Sequence, residues 1–397
     1  MQLFGRRCDT GQATCLETTG GRISRVTQAE ADCETLDHWP WISPGLVDLQ
    51  VNGHGGQEFS SPALSPQKVL QIAETMASFG VVRFCPTLTT QSYEVLRHAL
   101  RAVAQACESF PQAARMIAGI HLEGPYIASE DGPRGAHPLE HCRRPDWDEF
   151  QRLQEASAGR IRIHTMSVEF EESAEYIGRV VHSGVVVAIG HSAADSAQIR
   201  RAVDAGVRMS THLGNGSHRT LPRYPNYLWD QLAEDRLVAS IIVDGYHLPP
   251  AVVKTFVRAK TPSRCILVSD MSGLTGLPPG RYASDLCDVE LLEEGRLVVA
   301  GQRELLAGAL HPIGAGVANL LRFADLDLAT AVQLAVDHPA RLLGLQPGKL
   351  EAGQPADLVQ FHLPDDAAAP GRLRFEVCST VINGQVAWGT PFRPESA

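Results

Sequence analysis

The sequence predicts an α/β protein: a (β/α)8 barrel of the TIM type with a small β-sandwich domain built from both chain ends. Three observations carry that expectation. Eight short, nearly continuous apolar runs recur through the middle of the chain, helical patterns lie between many of them, and the two ends read as hairpins.

The apolar runs are Leu46–Val51, Val81–Cys85, Met116–Leu122, Ile161–Val168, Val185–Ile189, Val207–Met209, Val238–Val243 and Cys265–Val268. A strand covered on both faces has no polar face to alternate with, so it reads apolar throughout. Between the first two runs, SPQKVLQIAETMASFG opens on Ser65-Pro66, a helix start, and closes on Gly80, a helix stop. A second helical pattern covers residues 92–110. Strands alternating with helices in this number close into a barrel; a doubly wound open sheet is the alternative that the same pattern allows. The ends differ: GKLEAGQPADLVQF and VCSTVINGQVAWG mix short alternating runs with turn residues. The expected division is a small β domain from residues 1–43 and 346–397 around a barrel of residues 44–345.

Composition excludes several partners. With 35 Lys and Arg against 45 Asp and Glu, the chain carries a formal net charge of −10 and no basic stripe, so nucleic acid is not expected. No apolar run approaches the roughly 20 residues that span a bilayer, so no membrane is expected either. The segment MQLFGRRCDTGQATC lacks the apolar core of a signal peptide. Nine cysteines without a CxxC pair fit reduced thiols, and the expected compartment is the cytoplasm.

In a barrel, polar residues just after a strand's apolar run face the active site. Those positions here are Gln50 and Asn52, GIHLEGP (119–125), AIGHSAAD (188–195), STHLGNG (210–216), VDGYH (243–247) and LVSDMSG (267–273). Glu123, His191 and His212 each stand at the mouth of a different strand. Two imidazoles and a carboxylate suit a divalent transition metal such as zinc and leave a position open for water. A lone histidine is more often a satisfied core residue, but three such groups on three strand ends favour a metal. Asp270 ends the last run, where a carboxylate can take a proton from the attacking water; capping the next turn is its structural alternative.

These residues resemble the amidohydrolase superfamily and, within it, the N-acetylglucosamine-6-phosphate deacetylase family. PGLVDLQVNGHGG, HLEGPYI, GAHP, GHSAAD, THLGNG, DGYH, LVSD, HPARLLGL and GKLEAGQPADLV follow one another in family order from residue 44 to 359. The combination of HLEGP, GHS and THL is specific, whereas the C-terminal motif recurs across the superfamily. Many superfamily members open with HxH and hold two metals. One branch of these deacetylases has Gln and Asn there and works with a single metal, and Gln50 and Asn52 match that branch. The resemblance implies a barrel that hydrolyses an amide with one divalent ion per subunit, zinc first and iron, cobalt or manganese as alternatives. Glu123, His191 and His212 are the implied ligands, and Asp270 the implied base and then acid. It further implies that His137 and its neighbour Ala136 contact substrate. Asn215, Gly216, Arg223 and His247 are the implied grip on a sugar phosphate, and the resemblance implies that Arg223 reaches a neighbouring subunit of a homodimer. The chain departs from the family in GNGSHR, in SDMSGL and in LAGALHPIGAG (306–316), which puts His311 where a smaller contact residue is usual. The expected reaction is deacetylation of N-acetylglucosamine 6-phosphate to glucosamine 6-phosphate and acetate. The alternatives are an amidohydrolase acting on another N-acyl amino sugar or amide, with or without phosphate, and a non-catalytic protein on the same fold.

Overall fold

The computed structural model describes residues 1–284, 287–366 and 372–394. Its centre is a barrel of eight parallel strands: β1 (Leu46–Val51), β2 (Val81–Leu88), β3 (Ile120–Glu123), β4 (Ile161–Met166), β5 (Val186–Ile189), β6 (Met209–Ser210), β7 (Val238–Ile242) and β8 (Cys265–Val268). They pair in chain order. The ends of β1 and β8 meet where the Asp270 N–H donates to Gln50 O at 3.0 Å and the Asn52 N–H to Met271 O at 2.8 Å. Below them, one Asp48 carboxylate oxygen accepts from the N–H groups of Gln50 and Ser269, each at 3.2 Å, tying β1 to β8 inside the barrel.

Side chains from alternate strand positions fill the interior, among them Val47, Leu49, Ile163, Met209, Ile242 and Ile266. The opposite faces pack against the helices. Helix Pro66–Ser78 is capped by Ser65, whose hydroxyl accepts from the Lys68 N–H, and it buries Val69, Ile72, Ala73, Met76 and Ala77. That spacing lines one face of a helix, and each large side chain removed from water there contributes roughly 1.5–3 kcal/mol.

Two runs differ from the sequence expectation. Met116 ends a helix (Pro111–Met116), and β3 begins only at Ile120. The chain bends at Gly119, with φ +154°, where an added Cβ would lie 2.3 Å from the Arg162 side chain. The sixth run yields a strand of only two residues, Met209–Ser210. After β8 the chain forms a four-stranded antiparallel sheet to which the sequence reading assigned no element: Gly280–Ala283, Asp288–Leu291, Leu297–Val299 and Gln302–Leu306. It closes over Leu274, Val289, Leu291 and Leu297.

The two ends meet in a seven-stranded mixed sheet. Its order is Gln385–Gly389, Glu376–Ile382, Leu358–His362, Trp41–Pro44, Gln2–Arg7, Ala13–Thr19 and Arg22–Gln28. Leu3, Leu16, Ile23, Ile42, Leu358 and Val381 form its own core. Among the described residues, no helix is long and apolar enough to cross a membrane.

Candidate active site

Glu123 closes β3, while His191, His212 and Asp270 each stand two residues past the ends of β5, β6 and β8. These last three have left-handed backbones, with φ of +52°, +30° and +53°. That conformation costs a non-glycine residue about 1–2 kcal/mol and is typical of functional sites. It persists because neighbours hold it: the His212 N–H donates to Ser240 Oγ at 2.7 Å, and His191 O accepts from the Ala128 N–H at 3.1 Å.

Glu123 Oε1 lies 3.1 Å from His191 Nε2 and 2.8 Å from His212 Nε2, and the two ring nitrogens are 3.1 Å apart. All three side chains are buried. His191 Nδ1 sits 2.9 Å from the carbonyl of Pro133 and donates to it, which leaves Nε2 as a lone pair aimed at the cluster. An imidazole lone pair facing a carboxylate and a second imidazole inside a buried site fits a divalent cation. One carboxylate with two histidines is a donor set that zinc accepts while keeping a position open.

Gln50 and Asn52 point donors at this cluster. Gln50 Nε2 donates to Glu123 Oε2 at 3.0 Å, and Asn52 Nδ2 donates to Asp270 Oδ1 at 2.8 Å. Burial alone would push the Glu123 carboxyl up, but the His191 and His212 rings against it outweigh that and hold the group well below the usual carboxylate range. Asp270 goes the other way: burial, and then the charge of Glu123, raise it. The His137 ring stands against His191 with its Nδ1 2.8 Å from Thr90 Oγ1, and burial holds it well below its usual value.

Asn52, Glu123, His137, His191, His212 and Asp270 line a cavity of about 320 Å³ at the barrel mouth, together with Ala136, Asn215, Gly216 and His247. Gly216 has φ +56°, and a Cβ there would come within 2.7 Å of His191 Nδ1, so the close approach requires glycine. Asp244 fixes His247 by accepting from its Nδ1 at 2.8 Å and from its N–H at 2.9 Å.

The Amidohydrolase family matches residues 41–387. The chain belongs to the amidohydrolase family. This amidohydrolase is 32% identical to the N-acetylglucosamine-6-phosphate deacetylase of Bos taurus, over 92% of this chain and 86% of that protein. It is 31% identical to the N-acetylgalactosamine-6-phosphate deacetylase of Escherichia coli O157:H7, over 84% of this chain and 85% of that protein. Its fold is similar to that of a mutant N-acetyl-D-glucosamine-6-phosphate deacetylase from Mycobacterium smegmatis in complex with N-acetyl-D-glucosamine-6-phosphate. There the TM-score is 0.84 at 28% identity, covering 98% of this chain and 99% of that one. The resemblance read from the motifs holds: the amidohydrolase is a hydrolase of the deacetylase type, in a superfamily that depends on metal.

Two expected contacts stand apart from the cavity. Arg223 is exposed on the loop after β6 and is not among the residues lining its own chain's cavity. His311 lies behind the wall, stacked on Tyr246 with ring centroids 5.6 Å apart. Sequence reasoning missed Glu58, Ser60 and Thr89 in the cavity lining, and the segment Glu304–Gly308 that the four-stranded sheet delivers to it. It also missed Arg219, whose side chain pairs with Glu304.

Proposed function

We propose that this amidohydrolase removes the acetyl group from N-acetylglucosamine 6-phosphate, giving glucosamine 6-phosphate and acetate. The observation that carries the reading is the convergence of Glu123, His191 and His212 with Asp270 on one cavity. In this reading Glu123, His191 and His212 hold a single divalent ion, zinc first and iron, cobalt or manganese as alternatives. Such an ion supplies Lewis acidity, polarising the amide carbonyl and making water a better nucleophile at neutral pH.

Gln50 and Asn52 support a count of one, because amide N–H groups facing Glu123 and Asp270 occupy the ground where a second cation would need lone pairs. Asp270 takes the proton of the attacking water as its oxygen bonds to the acetyl carbon. It then passes that proton to the nitrogen as the C–N bond breaks, since an amine leaves poorly unprotonated. A carboxyl raised by burial suits both steps. His137, kept neutral, carries its proton on Nε2 when Thr90 donates to Nδ1, and donates it to the oxyanion. Ala136, Asn215 and Gly216 contact the sugar, and Asp244 holds His247 ready for the phosphate.

A second reading, another N-acyl amino sugar, is favoured by Gly214. A Cβ there would meet Phe256 at 3.0 Å and Leu248 at 3.1 Å, so this wall has no room for the bulky residue usual in the family. The relative that acts on the galactosamine compound points the same way. Tyr224 and Trp229, which follow Arg223 in the chain, are exposed and support the expected homodimer; the compartment we assign is the cytoplasm.

The test is acetate release from N-acetylglucosamine 6-phosphate, N-acetylgalactosamine 6-phosphate and unphosphorylated N-acetylglucosamine, with elemental analysis of the same sample. One divalent ion per chain and fastest release from the first sugar are expected. A faster rate on either of the others gives the second reading.

A further inference from the structure

A second cavity, of about 640 Å³, opens at the far end of the barrel, where the start of β2 and helix Pro111–Met116 face the terminal sheet. Three arginines line it with one carboxylate: Arg22 from strand Arg22–Gln28, Arg83 from β2, Arg115 from the helix, and Asp357. Three cations against one anion leave a local excess of two positive charges, in a chain whose formal net charge is −10. Asp357 does not cancel them. Its Oδ1 accepts the Asn383 N–H at 2.6 Å, while its Oδ2 lies 3.5 Å from Arg83 Nη2, longer than a good N–H···O bond. Arg83 Nη1 donates to Arg115 O, and Arg22 Nη1 donates to Gly353 O at 2.7 Å, so carbonyls steady both guanidiniums and leave their charge intact. Among the described residues no carboxylate forms an ion pair with Arg22 or Arg115. A smaller chamber of about 310 Å³ adjoins this one, since Arg83, Pro355 and Asp357 line both. Most of its wall is apolar, with Val47, Val82, Ile117, Val336, Ala340 and Leu345. Roughly 150 Å³ of apolar space holds a benzene ring, so an aryl or short alkyl group fits.

We propose that this paired cleft binds a phosphate monoester with a compact apolar body, the phosphate among the three guanidiniums and the body in the apolar chamber. A monoester carries close to two negative charges at neutral pH, which matches the excess of two. Each guanidinium fork can hold two phosphate oxygens at once. The apolar chamber offers nothing to an inorganic ion, so the body is what selects the ligand. One chain supplies every residue of the cleft, and the subunit contact expected through Arg223 lies on the loop after β6, at the opposite end of the barrel. The site is independent of which sugar the mouth accepts. It joins Arg22 of the terminal sheet to Arg83 and Arg115 of the barrel, so a bound ligand stabilises the seam between them.

The experiment is calorimetric titration of the metal-loaded enzyme with phenyl phosphate, inorganic phosphate and phenol, repeated in Arg115→Ala, Arg115→Lys and Ala118→Leu. Acetate release from N-acetylglucosamine 6-phosphate is followed in the same samples. Phenyl phosphate should bind at least about tenfold more tightly than inorganic phosphate, and phenol should give no measurable binding. Arg115→Ala should weaken phenyl phosphate about tenfold or more, and Arg115→Lys should recover part of that as a point charge without the fork. Ala118 lines the apolar chamber, so Ala118→Leu should erase the advantage of phenyl phosphate and spare inorganic phosphate. Acetate release should be unchanged in all three variants. Phenyl phosphate that fails to bind, or that binds Arg115→Ala as tightly as the unaltered protein, overturns the site. Equal affinity for phenyl phosphate and inorganic phosphate overturns the apolar half of the proposal. Binding that is lost only together with acetate release puts the anion at the mouth and overturns it as well.

Discussion

At the barrel mouth, His191, His212 and Asp270 hold left-handed backbones, and buried Gln50 Oε1, Asn52 Oδ1 and His212 Nδ1 have no hydrogen-bond partner. In the terminal sheet, Gln360 donates to Phe4 O at 2.7 Å and accepts from the Ser379 hydroxyl at 2.6 Å and the Phe392 N–H at 3.2 Å. Thr380 donates to Ala77 O at 2.6 Å and so docks the sheet on helix Pro66–Ser78. None of the described buried side-chain atoms that lack a partner lies in that sheet. Each unpaired buried polar atom costs about 1–3 kcal/mol. The difference teaches that such costs are carried at the mouth, where a ligand can offset them, and that no described residue carries one where the two ends of the chain are joined.

The comparison is broken first, and by the largest effect, through Asp270→Asn. Asparagine adopts left-handed backbone readily, so the fold should survive. The change also removes a buried charge that Glu123 repels, so the melting temperature should hold or rise. Turnover should fall by several orders of magnitude with metal content unchanged. A variant with near-normal turnover, or one that melts much lower, contradicts a mouth shaped for chemistry at the expense of stability.

Asp48 sharpens the comparison inside the barrel, one layer below. Burial pushes its carboxyl up to about 7 from an ordinary 3.8. The folded state therefore binds more protons than the unfolded state between those values, and stability falls as pH rises through that window. Urea unfolding of Asp48→Asn should show a flatter dependence across it. If the slope is unchanged, another group carries it.

The smallest effect belongs to the sheet. Ser379→Ala removes one hydroxyl donor while Phe392 still serves Gln360, so about 1 kcal/mol of stability should go, with kcat and KM unchanged. Lost activity at unchanged stability would erase the contrast.

Much of this was legible in the residues. The runs Leu46–Val51 and Cys265–Val268 are strands at the expected limits, and the pattern over 92–110 is a helix at Tyr93–Ser109 with Ser92 as its cap. Glu123, His191, His212 and Asp270 could be picked out because a barrel puts the polar residue after an apolar run at its mouth. Their left-handed backbones could not, since no glycine marks them. Nor could the work of Gln50 and Asn52, whose partners are 73 and 218 residues away. The four-stranded sheet hid because its strands are three to five residues long and carry exposed charges such as Arg281, Asp288 and Arg303. The resemblance, not a local pattern, grouped Arg223 with the phosphate contacts by way of a neighbouring subunit, and Arg223 lies outside the cavity of its own chain.

The terminal sheet also sets a timetable. The contact between Gln360 and Phe4 joins residues 356 apart in sequence. At about 5–20 residues per second, a ribosome needs roughly 20–70 s to bring the second after the first. Through that interval strand Trp41–Pro44 waits with one edge unpaired while the barrel strands emerge behind it. Such an edge is a template for any other extended chain. Nascent copies on one message are therefore open to cross-pairing at this strand, and the arrival of strand Leu358–His362 is what ends that exposure.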